Sequence, residues 1–300
     1  MKTGPMMARA LAERRVRLAG GLLLALAVIV LLAPMAASWL GADPGLVDLR
    51  QRLASPSLLH PLGTDELGRD LLLRLLEGGR VSLAVGLTAA LAAAVLGTAI
   101  GLAAGYNGGR IDALLMRVTD GVISLPLLPL LVVLAAIDLN KLGLPESFVQ
   151  SEAAGLYRII ALVALVGWTT VARLVRGATL SLVRRDFVRA AEALGARPLR
   201  IMLVHILPNL ATPIIVATSL AVGEIILLES VLSFLGLGIE PPLASWGNML
   251  TGAEETIALA PLLAVYPGLL IFVTVICCNL LGDGLQRALD PHAQTRLRAG

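Results

Sequence analysis

Long stretches without a charged residue alternate with short polar segments along most of this chain. Three of these stretches are long: Leu18–Leu40 has 23 uncharged residues, Val81–Tyr106 has 26 and Thr256–Gly282 has 27. A helix of about 20 residues, rising about 1.5 Å per residue, crosses the roughly 30 Å hydrocarbon layer of a bilayer. The pattern therefore predicts an integral membrane protein built from transmembrane helices.

Three further uncharged stretches are shorter. Gly121–Ile137 spans 17 residues, Ile159–Ala172 spans 14 between two arginines, and Ile206–Gly223 spans 18. Arginine side chains at the ends of a helix reach toward the membrane surface, so the shortest stretch can also cross the bilayer. We expect an all-α fold with six transmembrane helices, or five if Ile159–Ala172 does not span the membrane.

The first span admits two interpretations. Basic residues precede it, and Ala33–Ala36 resembles a signal-peptide cleavage site. Its 23 uncharged residues exceed the core of a signal peptide, which has about 7–15, so the pattern favours an anchor helix. The chain is accordingly divided into a basic N-terminus (1–17), an anchor helix (18–40), an extracytoplasmic segment (41–80), a five-helix transmembrane domain (81–284) and a tail (285–300).

The basic residues indicate how the helices are oriented. Six spans place both termini on one side, and that side carries 17 of the 24 Lys and Arg residues. Because cytoplasmic loops hold the excess of Lys and Arg, both termini are predicted to be cytoplasmic. The same asymmetry accounts for the net charge of +3, so the composition does not require a nucleic-acid partner.

Motifs of the common enzyme classes are missing from the sequence. It contains no GxxxxGK[ST] phosphate-binding loop, no HExxH, no CxxC and no GxSxG. The three histidines are scattered, and Cys277 and Cys278 are adjacent inside a span, which predicts neither a metal site nor a structural disulfide. We expect the chain to bind no cofactor of its own, so that a partner or an ion gradient supplies the energy for any active process.

The cytoplasmic loop at residues 184–208 has the pattern of two short helices. Asp186 is expected to cap a helix from Phe187 to Leu194, Gly195 to end it in a left-handed conformation, and Pro198 to begin the second helix. Residues spaced three or four apart predict a small, flat face on the first helix: Val188, Ala191, Leu194 and Gly195. Such a face suits a groove on another protein, and a connector lying on the membrane surface is the alternative.

Four motifs, in the same order, resemble the second permease subunit of ABC importers for dipeptides, oligopeptides and nickel. They are His60–Asp70 (HPLGTDELGRD), Arg189–Gly195 (RAAEALG) with Leu207-Pro208, Glu229–Gly238 (ESVLSFLGLG) and Asn279–Leu285 (NLLGDGL). The resemblance implies one anchor helix followed by the five-helix core of a type I importer permease. It also implies that partner ATPases bind the ATP and Mg²⁺ and that the permease transports by alternating access.

The resemblance further implies the assembly and its place in the cell. Its partners would be a sister permease subunit, two cytoplasmic ABC ATPase subunits and an extracytoplasmic solute-binding protein, in a cytoplasmic (inner) membrane of bacterial type. The segment that resembles RAAEALG is the coupling helix of such importers. ATPase coupling is therefore assigned to Val188, Arg189, Ala190, Ala191, Glu192, Leu194 and Gly195.

Polar residues inside the spans are candidates for a transport pathway, because a charge within the bilayer is costly. Glu224 and Glu229 are five residues apart, which places them on different faces of a helix. We expect one or both to line the pathway, with a bond to a neighbouring helix end or loop as the alternative. Asn279 lies near the cytoplasmic end of the last span and is expected either beside a gate or as an anchor of the helix end.

The segment from His60 to Leu72 precedes the second predicted span. It predicts an amphipathic helix that begins near Asp65 and lies along the outer membrane interface, with Asp70 and Arg74 paired at i,i+4. Asp65, Arg69 and Asp70 are thus expected to brace the outer mouth through capping and ion pairing. Direct contact with substrate or with a binding protein is the alternative.

Three regularly spaced glycines lie in the second predicted span. Gly97, Gly101 and Gly105 recur every four residues, which predicts close helix packing within the subunit or against a sister permease.

A gradient-driven secondary transporter is the main alternative function, and the sequence shows none of the inverted repeats that would favour it. An intramembrane enzyme would need a catalytic pair that the sequence does not offer.

Overall fold

The computed structural model describes residues 13–40, 43–143, 145–151 and 153–289. Within these ranges the chain is helical apart from loops, turns and one isolated antiparallel bridge between Thr64 and Asp70. Five helices are long and apolar enough to cross a membrane, and a bent pair of helices gives a sixth if it is counted as one span. The all-α fold with five or six spans is confirmed. The predicted N-terminus up to residue 12 and the tail from residue 290 lie outside the described residues.

The described chain contains eight main helices. They are α1 (Arg14–Leu40), α2 (Leu71–Asn107), α3 (Gly109–Ser124), α4 (Leu127–Ala135), α5 (Ala153–Val183), α6 (Asp186–Ala193), α7 (Leu207–Phe234) and α8 (Leu262–Leu289). Shorter helical turns lie at Leu49–Gln51, Leu139–Leu142, Glu146–Val149, Pro198–Arg200, Asn248–Leu250 and Ala253–Thr256. A π-helical stretch, Ile201–Ile206, joins Pro198–Arg200 to α7, so one helical rod runs from Pro198 to Phe234.

Helices α2 and α5 pack against each other at the centre of the fold. Gly97, Gly101 and Gly105 of α2 face α5 at such short range that a Cβ on Gly101 would lie 2.6 Å from the carbonyl oxygen of Ala172. Only glycine allows the two backbones to approach this closely. The glycine repeat therefore serves packing within this subunit.

Helix α1 packs against both α2 and α8. Val16 of α1 lies against Gly284 of α8, and a Cβ on Gly79 of α2 would lie 2.8 Å from Cγ2 of Val30. An ion pair 3.0 Å long joins Glu13, the residue before α1, to Arg287 of α8. The first span is thus packed against the transmembrane domain along its length.

The third predicted span, Gly121–Ile137, is a broken one that begins earlier. Helices α3 and α4 meet at 87° across Leu125 and Pro126. Proline disfavours a helical conformation at the preceding residue and lacks a backbone N–H, so α3 ends there. The guanidinium of Arg176 on α5 donates to the Asp112 carboxylate at 2.7 Å, which holds α3 against α5.

Candidate translocation and coupling sites

A cavity of about 1100 Å³ lies between α5 and α7, and the bend between α3 and α4 forms a third wall. Its lining is mostly apolar and includes Val122, Leu125, Leu128, Val166, Leu174, Val216, Leu220 and Leu228. The polar side chains among the lining residues are Thr169, Thr170, Thr212, Glu224 and Gln286. The cavity therefore combines apolar walls with a single ionisable group, the carboxylate of Glu224.

Glu224 is exposed to this cavity near the middle of the 28-residue helix α7. Among the described residues, no Lys, Arg or His side chain lies within ion-pair distance of its carboxylate. Of the two carboxylates expected in a pathway, this is the one that the structure places in an open space. Its carboxylate is available to a group that enters the cavity.

Glu229 has a different environment, because its side chain is completely buried (0% exposed). Its carboxylate accepts hydrogen bonds from Ser233 Oγ at 2.8 Å and from Ser82 Oγ at 3.3 Å. Those hydroxyls accept in turn from the backbone N–H groups of Ile239 and Trp246, each at 3.1 Å. Glu229 thus joins α2, α7 and the loop after α7. The structure corrects its expected place in the pathway and supports the alternative, a bond to a neighbouring helix and loop.

Asn279 is exposed on α8 and does not line the cavity, so its place beside a gate, or as an anchor of the helix end, stays a prediction. The residue of α8 that lines the cavity is Gln286, which sequence reasoning missed. Gln286 follows Asn279 by seven residues, two helical turns, and so lies on nearly the same face of α8. That spacing was the available signal.

Helix α6 and the turn after it form the cytoplasmic loop that was predicted to couple to an ATPase. Gly195 has a φ of +77°, and its N–H donates to the carbonyl of Glu192 while the N–H of Ala196 donates to that of Ala191. This pair of bonds is a Schellman cap, which satisfies carbonyls at the helix end. Asp186 is the first residue of α6 and makes no side-chain capping bond, so its expected role as the N-cap is wrong.

Two of the four residues of the predicted docking face of α6, Val188 and Ala191, point into the protein, whereas Leu194 and Gly195 are exposed. Val188 is fully buried and Ala191 is 8% exposed. Both pack in one cluster with residues of α2, α5, the π-helical stretch and α7, namely Leu102, Val171, Val175, Ile201, Ile206 and Leu210. The physical reason is that this cluster offers an apolar surface next to the loop, and the small apolar face of α6 covers it.

The opposite side of α6 is open to a partner. Ala190 and Ala193 are exposed there, Phe187 and Leu194 are exposed on one flank, and Leu194 is 88% exposed. Arg189 and Glu192 are exposed on the other flank, where the Tyr106 hydroxyl donates to the Glu192 carboxylate at 3.5 Å. Of the seven residues assigned to coupling, five therefore remain accessible: Arg189, Ala190, Glu192, Leu194 and Gly195.

The extracytoplasmic brace contains the expected residues in a different arrangement. The Arg69 Nε donates to the Asp65 carboxylate at 2.7 Å, and Arg74 Nε lies 3.4 Å from the same carboxylate. Asp70 instead pairs with His60 Nδ1 at 2.9 Å and caps α2 by accepting from the backbone N–H of residue 73 at 2.8 Å. The predicted Asp70–Arg74 pair is wrong, because Asp65 pairs with Arg74.

The predicted amphipathic helix near Asp65 is also wrong. Residues 63–70 form a turn in which Thr64 bridges to Asp70 and Gly68 has a φ of +75°. The Cα of Gly68 faces the backbone of Asp48 so closely that no Cβ fits, which explains a glycine here. Helix α2 then starts at Leu71, ten residues before the span expected from Val81.

Comparison with known proteins shows similarity over most of the chain. Residues 97–295 match the family described as "Binding-protein-dependent transport system inner membrane component". The chain is 40% identical over 271 residues to the oligopeptide transport system permease protein OppC of Escherichia coli strain K12, covering 90% of this chain and 84% of the relative. It is 38% identical over 275 residues to the nickel transport system permease protein NikC of the same strain (91% and 94% covered). It is also 39% identical over 280 residues to the di/tripeptide transport system permease protein DppC of Pseudomonas aeruginosa strain UCBPP-PA14 (91% and 87% covered).

Proposed function

The chain belongs to the family of binding-protein-dependent transport system inner membrane components, and on this premise we propose that it moves peptides, or alternatively nickel, by alternating access. Its role is that of a multi-pass permease subunit of an ABC importer in the inner membrane. Membership of this family supports an ATP-driven importer over a gradient-driven secondary transporter. The substrate classes of the proposal are those in the names of the relatives.

The role as importer permease implies ATPase and binding-protein partners. The proposed complex contains one sister permease and two ATPase subunits, and those ATPases bind and hydrolyse the ATP. The excess of basic residues on one side supports a topology with both termini in the cytoplasm. The binding protein would then approach the side that carries the Asp65–Arg74 brace.

One observation carries the proposed mechanism: α6 is connected at both ends to the helices that wall the cavity. Two residues, Arg184 and Arg185, link it to α5, and the four residues Leu194–Arg197 link it to the rod that contains α7. The buried cluster around Val188 fixes α6 to both helices as well. A displacement of α6 by a partner must therefore move the walls of the cavity.

The outward side of α6 supplies the surface on which a partner would act. Ala190 and Ala193 are small, so another protein could approach the helix backbone closely, and Leu194 offers an exposed apolar contact. Docking on this side leaves the inward contacts of Val188 and Ala191 intact. Alternating access then follows if ATP binding and release move α6 back and forth between two positions.

The experiment is transport by the complete complex reconstituted in vesicles, with Ala190→Trp in this chain. The large side chain on the docking side is expected to separate α6 from the ATPase, so that uptake per ATP hydrolysed falls about tenfold or more. Ala84→Trp, at an exposed position of α2 that lies about 33 Å along the helix from Tyr106, the residue that contacts α6, is the matched control and should leave that ratio unchanged. An unchanged ratio in Ala190→Trp would show that α6 is not the coupling helix.

A further inference from the structure

The cavity contains one charge in an apolar surrounding. Glu224 lies ten residues before Phe234, the end of α7, which places it about 15 Å along the helix from that end. An ionised carboxylate at this depth is unfavourable unless it meets a cation, water or hydrogen-bond donors. The described residues supply no cation to it. A carboxylate in this position is suited to pair with a cationic group of a substrate that passes through the cavity.

The donor set of the cavity argues against a metal ion as the passing group. Nickel and similar ions bind several nitrogen, sulfur or carboxylate ligands at once. The lining offers Glu224, three threonine hydroxyls and the amide of Gln286, with no His or Cys among the lining residues. The described part of the chain also holds no group of three or more His, Cys, Asp or Glu residues that could bind a metal ion.

A substituted ammonium group fits the same lining residues, whose carboxylate, hydroxyl and amide oxygens can accept its hydrogen bonds. It carries one positive charge and two or three N–H donors, so one carboxylate neutralises it, and hydroxyls of the cavity lining or water can accept its remaining hydrogen bonds. The apolar walls would accommodate side chains of different shapes without selecting strongly among them. A cavity of about 1100 Å³ is large enough for a short peptide, since pockets for drug-sized ligands measure about 300–1,000 Å³.

We infer that Glu224 is a specificity residue that binds the positively charged amino terminus of a peptide during its passage. This inference rests on the proposed function, because it assumes that the cavity is part of the translocation pathway. It goes further by naming the group recognised, the residue that recognises it and the peptide substrates that it favours. Peptides with a free amino terminus should therefore pass more rapidly than the same peptides with a blocked one.

The test is uptake of trialanine and of N-acetyl-trialanine into vesicles that contain the whole complex, with the binding protein saturated by each peptide in turn. Glu224→Gln keeps the size of the side chain and removes its charge. We expect it to lower trialanine uptake about tenfold or more, as loss of a charge-assisted hydrogen bond does, and to change N-acetyl-trialanine uptake by less than about twofold. Glu255→Gln makes the same change at an exposed carboxylate that does not line the cavity, and should leave the ratio of the two uptake rates unchanged.

Each outcome distinguishes the two proposals. Trialanine uptake by the unmodified complex tests the proposed function, and its absence would refute a peptide importer. Equal loss of both uptake rates in Glu224→Gln, or no loss in either, would overturn the role of Glu224 while leaving the importer intact. Dissociation of the Glu224→Gln complex during size-exclusion chromatography would show that the carboxylate pairs with a partner subunit, and would overturn the inference as well. Partial retention of the preference in Glu224→Asp would support it.

Discussion

Substitution of Gly101 by alanine should measure how much the close packing of α2 on α5 contributes to stability. The added Cβ would lie 2.6 Å from the carbonyl oxygen of Ala172 and 2.7 Å from Cβ of Val175. Non-bonded heavy atoms prefer about 3.5–4.0 Å, so the two helices would have to separate by about 1 Å. The obstructing atoms belong to the backbone and to the stem of a β-branched side chain, which cannot turn away.

The expected loss follows from this displacement. Overpacking of this kind lowers the free energy of unfolding by about 1–3 kcal/mol. Each kcal/mol lost lowers Tm by about 2–4 °C. Thermal unfolding of the purified complex in detergent, followed by intrinsic fluorescence, measures the difference. The melting temperature should fall without loss of expression, because the remaining contacts between α2 and α5 are kept.

Gly177→Ala is the matched control, because Gly177 lies inside α5 and no atom lies within 4 Å of the Cβ it would gain. That substitution is expected to cause no loss of stability, and to gain up to about 1 kcal/mol from the higher helix propensity of alanine. If Gly101→Ala melts at the same temperature as Gly177→Ala, the close contact is not a constraint and the reasoning is refuted.

Two further substitutions test the extracytoplasmic side. Asp65→Asn leaves the guanidinium of Arg74, a residue only 4% exposed, without its carboxylate partner, and should lower the free energy of unfolding by about 3 kcal/mol. Glu66→Gln in the same turn is the control, and an equal loss there would contradict the pairing. Trp246→Phe removes the indole N–H that donates to the Leu75 carbonyl at 2.9 Å, a buried bond between the loop after α7 and α2. Loss of this bond should cost about 0.5–1.5 kcal/mol in the same unfolding measurement, and no change would show that the bond is dispensable.

The number of spans could be predicted from the sequence because the bilayer imposes a length on every apolar stretch. The start of α2 could not, because Arg74, Glu77 and Arg80 interrupt the apolar pattern before Val81. Arg74 is nevertheless inside the helix and buried, since its charge is balanced by Asp65 from a preceding turn. A charge ends a predicted span only if no partner from elsewhere in the fold compensates it.

The candidate sites could be predicted only in part, because the surroundings of each side chain depend on distant parts of the chain. The small apolar face of α6 has the same pattern whether it covers a partner or its own protein, and only the tertiary structure shows that Val188 packs inward. The spacing of Glu224 and Glu229 predicts that they lie on different faces of one apolar helix, but it does not show which face meets a cavity and which meets the neighbouring helix. Ser82, which bonds to Glu229, lies 147 residues earlier in the chain, and that proximity does not follow from local pattern.

The packing of α1 against both α2 and α8 has a consequence for biosynthesis. Helix α1 finds one of its two packing surfaces only after α8 has been made, and the separation of 274 residues between Glu13 and Arg287 shows how much of the chain is synthesised in between. Until then the side of α1 that meets α8 faces lipid, and Val16 lacks its close contact with Gly284. A nascent chain that stops before α8 therefore leaves one packing surface of α1 uncovered and cannot complete its fold.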